Sequence, residues 1–306
     1  MIPVTGEELL QLQRLFATCL PDDIDRAAIT MQRSIRARYV VDDVCIQGEP
    51  RFIVKTARTS DVVPLLRLEG QVLAWLGGAS PDARAPRVHR PSAGDVVWDE
   101  PGEPARLVTT HLGAPCDWHP DSVIATRLGA ALATVHRARG AAGLPGSSIP
   151  TRLLPRLLDA ARADEGTARA FDHLVRRWVN GTAIHGDLKW EHVRCESAPA
   201  FIDWELGGAG DPAWDVASLL HELLMLDAPG DALRDCLVAY GTGVRRTLSG
   251  AFLLRCAAAL STRFVQSREE YACGGASPVT VDLAHAQARW WAAHPHELST
   301  CLGVAA

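Results

Sequence analysis

Leu9, Leu12, Phe16 and Leu20 recur at helical spacing behind Thr5 and Glu8, a Thr-x-x-Glu pair that can cap a helix start reciprocally. The pattern predicts a first helix over residues 6–20. The period then shortens. Arg36 to Ile46 and Arg51 to Thr56 alternate or carry β-branched residues, and Gly48-Glu49-Pro50 between them predicts a hairpin. Pro64 opens a second helical pattern through Leu65, Leu66, Leu68, Val72, Leu73 and Leu76, with Gly77-Gly78 as the expected stop. Short strands are expected at Arg87–His89, Val96–Trp98 and Arg106–Thr110. From Asp121, an N-cap type, the periodicity is helical to Arg139. It is helical again over 151–163, 167–179, 213–226, 231–240 and 250–270. A β-rich island, Ala183 to Asp203, interrupts it, and Gly140–Pro150 and Gly274–Pro278 read as loops. The chain is therefore α+β: a small strand-rich first part and a larger helical second part, joined near Thr110-His111-Leu112-Gly113.

A chain of 306 residues with 47% hydrophobic and 22% charged residues can bury a core large enough for two lobes. The net charge of -5 argues against a general nucleic-acid partner. Eight cysteines without a Cys-x-x-Cys pair predict reduced thiols in a cytoplasmic protein. Glu7 and Glu8 precede the first arginine, unlike a signal peptide. The longest apolar run, Ala251 to Leu260, is interrupted by Arg255 and is too short to span a bilayer, so no membrane partner is expected.

Only two of the 31 basic residues are lysine, Lys55 and Lys189. Lysine is a compact point charge where arginine is a planar fork, so its retention at two positions points to crowded phosphate oxygens. Lys189 lies in His185-Gly186-Asp187-Leu188-Lys189-Trp190-Glu191-His192. This run is followed by Ile202-Asp203-Trp204-Glu205 and Gly210-Asp211-Pro212-Ala213-Trp214-Asp215. Gly208 to Ala213 also fits G-x-G-x-x-A, but no βαβ unit surrounds it and Pro212 sits at the helix entry, so a dinucleotide site is discounted.

These three ordered motifs resemble the aminoglycoside phosphotransferase family, the small-molecule branch of the protein-kinase-like fold, with weaker likeness at Ile53-Val54-Lys55, Glu69 and Leu107–Gly113. The resemblance implies a bilobal architecture: a nucleotide-binding lobe over residues 1–108, a hinge at 109–113 and a helical lobe over 114–306. It implies ATP and Mg2+ as cofactors, Asp187 as the group that orients the acceptor hydroxyl and receives its proton, and Asp203 as a metal ligand. Lys55, steered by Glu69, would hold the α- and β-phosphates. Lys189 would approach the γ-phosphate, and the backbone of Thr110, His111 and Leu112 would read the adenine edge. His185 and Asp215 would shape the catalytic loop, Asp211 would cap the following helix, and Trp190, Trp204 and Trp214 would pack.

The pattern is broken twice. His192 stands where the family has asparagine, so it could ligate the metal, favour Mn2+, or hydrogen-bond Asp187 instead. No glycine occurs between Gly6 and Gly48; Ser34 or the arginines of Arg33-Ser34-Ile35-Arg36-Ala37-Arg38 would then contact phosphate, or be ordinary exposed strand residues. The runs around Lys189, Asp203 and Asp215 most resemble kinase components of class V lanthipeptide and thioviridamide-type peptide biosynthesis, which work beside a separate lyase. The expected function is transfer of the γ-phosphate to Ser or Thr of a precursor peptide. Alternatives are an aminoglycoside or other natural product as acceptor, or a catalytically silent kinase-like module that binds a peptide or partner.

Overall fold

Cross-strand pairing organises the first part of the chain. The computed structural model describes residues 29–91, 95–117, 119–195, 198–245 and 248–271, with residues 6–8, 10, 15, 286, 290, 291, 293 and 294. Strands β1 (Ile29–Ile35), β2 (Tyr39–Ile46), β3 (Glu49–Ala57), β4 (Val88–His89) and β5 (Arg106–Thr110) form one antiparallel sheet in the order β1-β2-β3-β5-β4. The predicted hairpin is β2–β3, but it begins at Tyr39, because Arg36 donates its N–H to the Tyr39 carbonyl and closes a turn. Strand β1 escaped the sequence reading. Its inward row, Ile29 and Met31, continues with Arg33, whose guanidinium pairs at 2.7 Å with Asp42, its register partner on β2. A cross-strand ion pair thus replaces an apolar pair and breaks the alternation.

Helix α1 (Val63–Ala79) buries Leu65, Leu66, Val72, Leu73 and Leu76; Leu66 clusters with Leu107 of the sheet, and Val72, Leu73 and Leu76 join the core of the helical part. It runs through Gly77 and Gly78, where the sequence pattern predicted a stop. Each glycine costs about 1 kcal/mol relative to alanine, less than burial of the apolar face returns. The strand expected at Val96–Trp98 reduces to one bridge, Trp98 to Arg106, because Asp95 turns the chain by accepting the Val96 and Val97 N–H groups. The predicted first helix is represented by helical residues 6–8, 10 and 15; its remainder and Thr5, like the loop Gly274–Pro278, lie outside the described residues.

The second part is helical: α2 (Ser122–His136), α3 (Leu154–Arg162), α4 (Glu165–Arg177), α5 (Pro212–Met225), α6 (Gly230–Val244) and α7 (Gly250–Tyr271). Asp121 caps α2 as expected, accepting the Ile124 N–H at 2.8 Å. A π-turn at Ile149–Leu153 delays α3 past its predicted start. Helix α5 is buried on every face from Ala213 to Leu223, the signature of a central helix. The β-rich island resolves into two ribbons, β6 (Thr182–Ile184) with β9 (Gly208–Gly210), and β7 (Val193–Arg194) with β8 (Ala200–Phe201). Strand β9 has no β-forming side chain. At Gly208 a Cβ would meet the Pro145 carbonyl oxygen at 2.6 Å, so close approach selects glycine over propensity. Five described cysteines, Cys45, Cys116, Cys195, Cys236 and Cys256, are free thiols. Among the described residues no helix is long and apolar enough to cross a membrane.

Candidate active site

Strand β6 delivers the chain into His185-Gly186-Asp187, a turn held from several sides. Gly186 has φ 87°, and a Cβ there would lie 2.6 Å from the Leu206 carbonyl oxygen. Asp215, fully buried in the first turn of α5, accepts the His185 N–H at 2.6 Å and the Gly186 N–H at 2.8 Å. The Trp214 indole donates to the Gly186 carbonyl at 2.8 Å. His185 Nε2 donates to the Ile202 carbonyl, and Nδ1 accepts the Asp187 N–H, which assigns the neutral tautomer. Burial agrees, pushing its pKa down to about 4.

Asp187 emerges from this turn with its carboxylate between two cations. Lys189 Nζ lies 3.3 Å from Oδ2, and the buried Arg263 guanidinium lies 3.4 Å from Oδ1. Burial pulls the Asp187 pKa upward, but Lys189, Arg263 and His192 outweigh it and hold the carboxyl below its ordinary value. On the other side of the cleft Lys55 Nζ, on β3, binds both Glu69 oxygens at 2.8 and 2.9 Å and Asp203 Oδ1 at 2.5 Å. Burial alone would lower the lysine pKa; Asp203 and Glu69 reverse this and raise it. Burial raises Glu69, and burial of Asp203 is overcome by Lys55 and His192, which keep that carboxyl strongly acidic. Asp203 takes φ 67°, a left-handed conformation that aims its carboxylate at Lys55. Glu69 also accepts the Trp204 N–H at 3.2 Å, so one helix carboxylate steers both Lys55 and the Asp203 loop.

His192 joins the two halves. Its Nδ1 is 2.8 Å from the Asp187 carbonyl oxygen, which can only accept, so Nδ1 carries a proton. In the neutral ring Nε2 then holds a lone pair, 3.2 Å from Asp203 Oδ2. With Nε2 also protonated this contact is an ion pair, the form in which His192 lowers both carboxyls; with Nε2 unprotonated, Nε2 and Oδ2 together could ligate a cation. The site thereby unites Lys55, Glu69, Asp187, Lys189, His192 and Asp203 around one cleft. Among the described residues no three His, Cys, Asp or Glu side chains converge as a complete metal cage. A hard cation here would complete its shell with phosphate and water oxygens.

The remaining predicted residues lie on the N-terminal side. Ser34 pairs with Val41 in β1, and its hydroxyl donates to the Val41 carbonyl at 3.4 Å. Arg33 is held by Asp42 and Glu8. At the end of β5 the Thr110 N–H donates to the Arg87 carbonyl and the His111 N–H to the Arg51 carbonyl, and the Leu112 N–H has no backbone partner among the described residues.

A family model described as "Phosphotransferase enzyme family" matches residues 9–250. The chain belongs to this phosphotransferase family. Its activity is ATP-dependent phosphoryl transfer to a hydroxyl group. No curated protein matches the chain. Solved structures share the kinase-like fold. Macrolide 2'-phosphotransferase MphH from Brachybacterium faecium is 19% identical over 92% of this chain and 97% of its own, with TM-score 0.57. A putative aminoglycoside phosphotransferase from Ralstonia eutropha is 14% identical over 94% and 96%, with TM-score 0.59. Amicoumacin kinase hAmiN, bound to AMP-PNP, Ca2+ and Ami, is 14% identical over 95% and 96%, with TM-score 0.58.

Two groups of this phosphotransferase's site were not anticipated. Arg263 sits between Leu260 and Phe264 on α7, and the signal was legible: a charge on an otherwise small and apolar helical face. Glu205, two residues beyond Asp203, binds Arg38 at 2.6 Å and the Tyr39 hydroxyl at 2.8 Å, tying the β1–β2 turn to the Asp203 loop. Asp211 caps α5 as expected and also binds Arg255 at 2.8 Å. Trp204 and Trp214 are fully buried packing residues and Trp190 is partly buried.

Proposed function

We propose that this phosphotransferase moves the γ-phosphate of ATP to a Ser or Thr hydroxyl of a ribosomally made precursor peptide, with residues 1–108 forming the nucleotide lobe, 109–113 the hinge and 114–306 the helical lobe. The observation that carries the phosphoryl-transfer roles is the Asp187–Lys189 pair at 3.3 Å, joined through His192 to the Lys55–Asp203 pair. Asp187 aligns the acceptor hydroxyl and receives its proton as the oxygen–phosphorus bond forms. Its depressed pKa makes it a weak base that takes the proton late, which suits a loose transition state. Lys55 holds the α- and β-phosphates as the bond from the γ-phosphorus to the bridging oxygen breaks and ADP departs with the charge. Lys189 offsets negative charge on the transferring group. Mg2+ or Mn2+ held by Asp203 Oδ2 and His192 Nε2 would neutralise phosphate oxygens; the oxygen suits either ion, and the imidazole favours Mn2+.

The peptide acceptor is supported by the run around Lys189, Asp203 and Asp215 and by a lysine two residues beyond the catalytic aspartate. A cytoplasmic setting beside a separate lyase follows from the same reading. A second reading, a small natural product, is favoured by the structural relatives: a macrolide phosphotransferase, a putative aminoglycoside phosphotransferase, and amicoumacin kinase bound to Ami. The test offers ATP with either a Ser/Thr-rich precursor encoded beside this gene or a panel of aminoglycosides and macrolides. Phosphopeptide by mass spectrometry supports the first reading, and transfer only to the antibiotics overturns it. With the accepted substrate, Asp187→Asn should lower kcat about 10²- to 10⁴-fold while leaving nucleotide affinity nearly unchanged.

A further inference from the structure

The support of the catalytic loop continues outward to a second cavity. His136, in the last turn of α2, lies 3.1 Å through Nε2 from Asp215 Oδ2, and its Nδ1 lies 2.9 Å from the Tyr240 hydroxyl of α6. The carboxylate only accepts, so Nε2 donates to it, and a ring that carries its proton at Nε2 alone accepts the tyrosine proton at Nδ1. A directed chain thus runs from Tyr240 through His136 and Asp215 to the backbone of His185 and Gly186. Tyr240 and His136 also line a concavity of about 940 Å³ that shares no residue with the Lys55–Asp187–Asp203 cluster.

Its walls are basic. Arg137, Arg139, Arg245 and Arg255 line it, against a single lining carboxylate, Asp82. Arg255 is committed to Asp211 and lies 5.8 Å over the Phe252 ring. Arg137, Arg139 and Arg245 are exposed and have no carboxylate partner among the described residues. Arg137 and Arg245 follow the ends of α2 and α6, where a cation also offsets the helix dipole. That role does not reach Arg139, beyond the helix, or Arg255, inside α7. Three arginines without a carboxylate partner, Arg137, Arg139 and Arg245, repel one another around this concavity, and an anion inside it reverses the sign of that interaction. The cavity also has an apolar surface: Phe252 stacks on Tyr240 with centroids 6.1 Å apart and an interplanar angle of 12°. The volume suits a ligand larger than inorganic phosphate.

We propose that this cavity is a second ligand site, for a small phosphorylated compound with an aromatic or apolar body, and that its occupancy is felt by the catalytic loop through Tyr240, His136 and Asp215. An anion that accepts the Tyr240 proton removes the donor to His136 and loosens the support of the His185 and Gly186 amides.

Calorimetric titration with phenyl phosphate, without nucleotide or divalent metal, tests the site on the full chain. The expected result is saturable binding to the native chain and to Asp203→Ala within about twofold of each other, and binding weakened at least about tenfold in the exposed double variant Arg139→Gln/Arg245→Gln. Unchanged affinity in the double variant, loss of binding in Asp203→Ala, absence of binding, or inorganic phosphate binding as tightly would each overturn it. For the coupling, amide exchange at His185 and Gly186 should quicken with phenyl phosphate in the native chain and stay constant in Tyr240→Phe. Bound ligand with no change in native-chain exchange overturns the coupling. None of these readouts requires phosphoryl transfer, so failure of the proposed acceptor leaves them intact.

Discussion

At the scale of single residues, charge shape matters as much as charge. Lys189 reaches Asp187 with a slim ammonium from a position that is only partly exposed. Lys189→Arg keeps the charge but brings a wider, planar head into the space proposed for the transferring phosphate. Steady-state kinetics should show kcat falling on the order of tenfold or more, about 1.4 kcal/mol of transition-state stabilisation, with nucleotide affinity less affected; equal activity would remove the argument from lysine retention. His185 has a different signature. Its pKa in the folded chain lies near about 4, below its ordinary 6.5. Between those values the unfolded chain binds a proton that the folded chain refuses. Its contribution is therefore intact above pH ~6.5 and is lost as pH falls toward ~4, roughly 3 kcal/mol in all. Urea unfolding should show a smaller loss between about pH 7 and about pH 5 in His185→Gln than in the native chain.

At the scale of elements, a helix remote in sequence completes the surroundings of Asp187, the proposed catalytic group. Helix α7 carries Arg263 to Asp187 Oδ1, 76 residues away along the chain, while Gln266 accepts from the same guanidinium at 2.6 Å. Arg263→Met preserves much of the buried volume but removes one of two cations flanking the carboxylate. Asp187 should then ionise at higher pH, so the acid limb of the kcat profile should move upward; an unmoved limb would make Arg263 a packing residue only. The elements also show where periodicity succeeds and fails. Helices α2, α5, α6 and α7 were legible because their apolar faces are long and continuous. Strand β1 was not, because Arg33 and Asp42 satisfy each other across the ladder, and β9 was not, because its glycines answer to close contacts rather than strand propensity.

At the scale of the whole molecule, the two lobes meet through the apolar face of α1 and through charges. Lys55 and Glu69 of the first part grip Asp203 and the Trp204 N–H of the second, and Glu205 reaches back to Arg38 and Tyr39. A nucleotide that enters this cleft binds only the folded, assembled chain. With Mg2+ it should therefore raise the melting temperature, by the equivalent of about 2.7 kcal/mol at a ligand concentration of about one hundred times Kd. Asp203→Ala should abolish the metal-dependent part of that shift; its persistence would show that the metal is held elsewhere.

By itself the sequence determined the kinase-like division into strands and helices, the family, and the identity of the acidic and lysine groups, because those depend on local periodicity and on motifs within short spans. Only the tertiary structure decided what surrounds each group. Arg263 and Glu205 acquire their partners through contacts 76 and more than 160 residues away, and no local pattern names those partners. His192 is the clearest case: its ring orientation, set by the Asp187 carbonyl, turns its second nitrogen to Asp203. A tautomer is settled by which atoms face which, and that is a property of the folded chain.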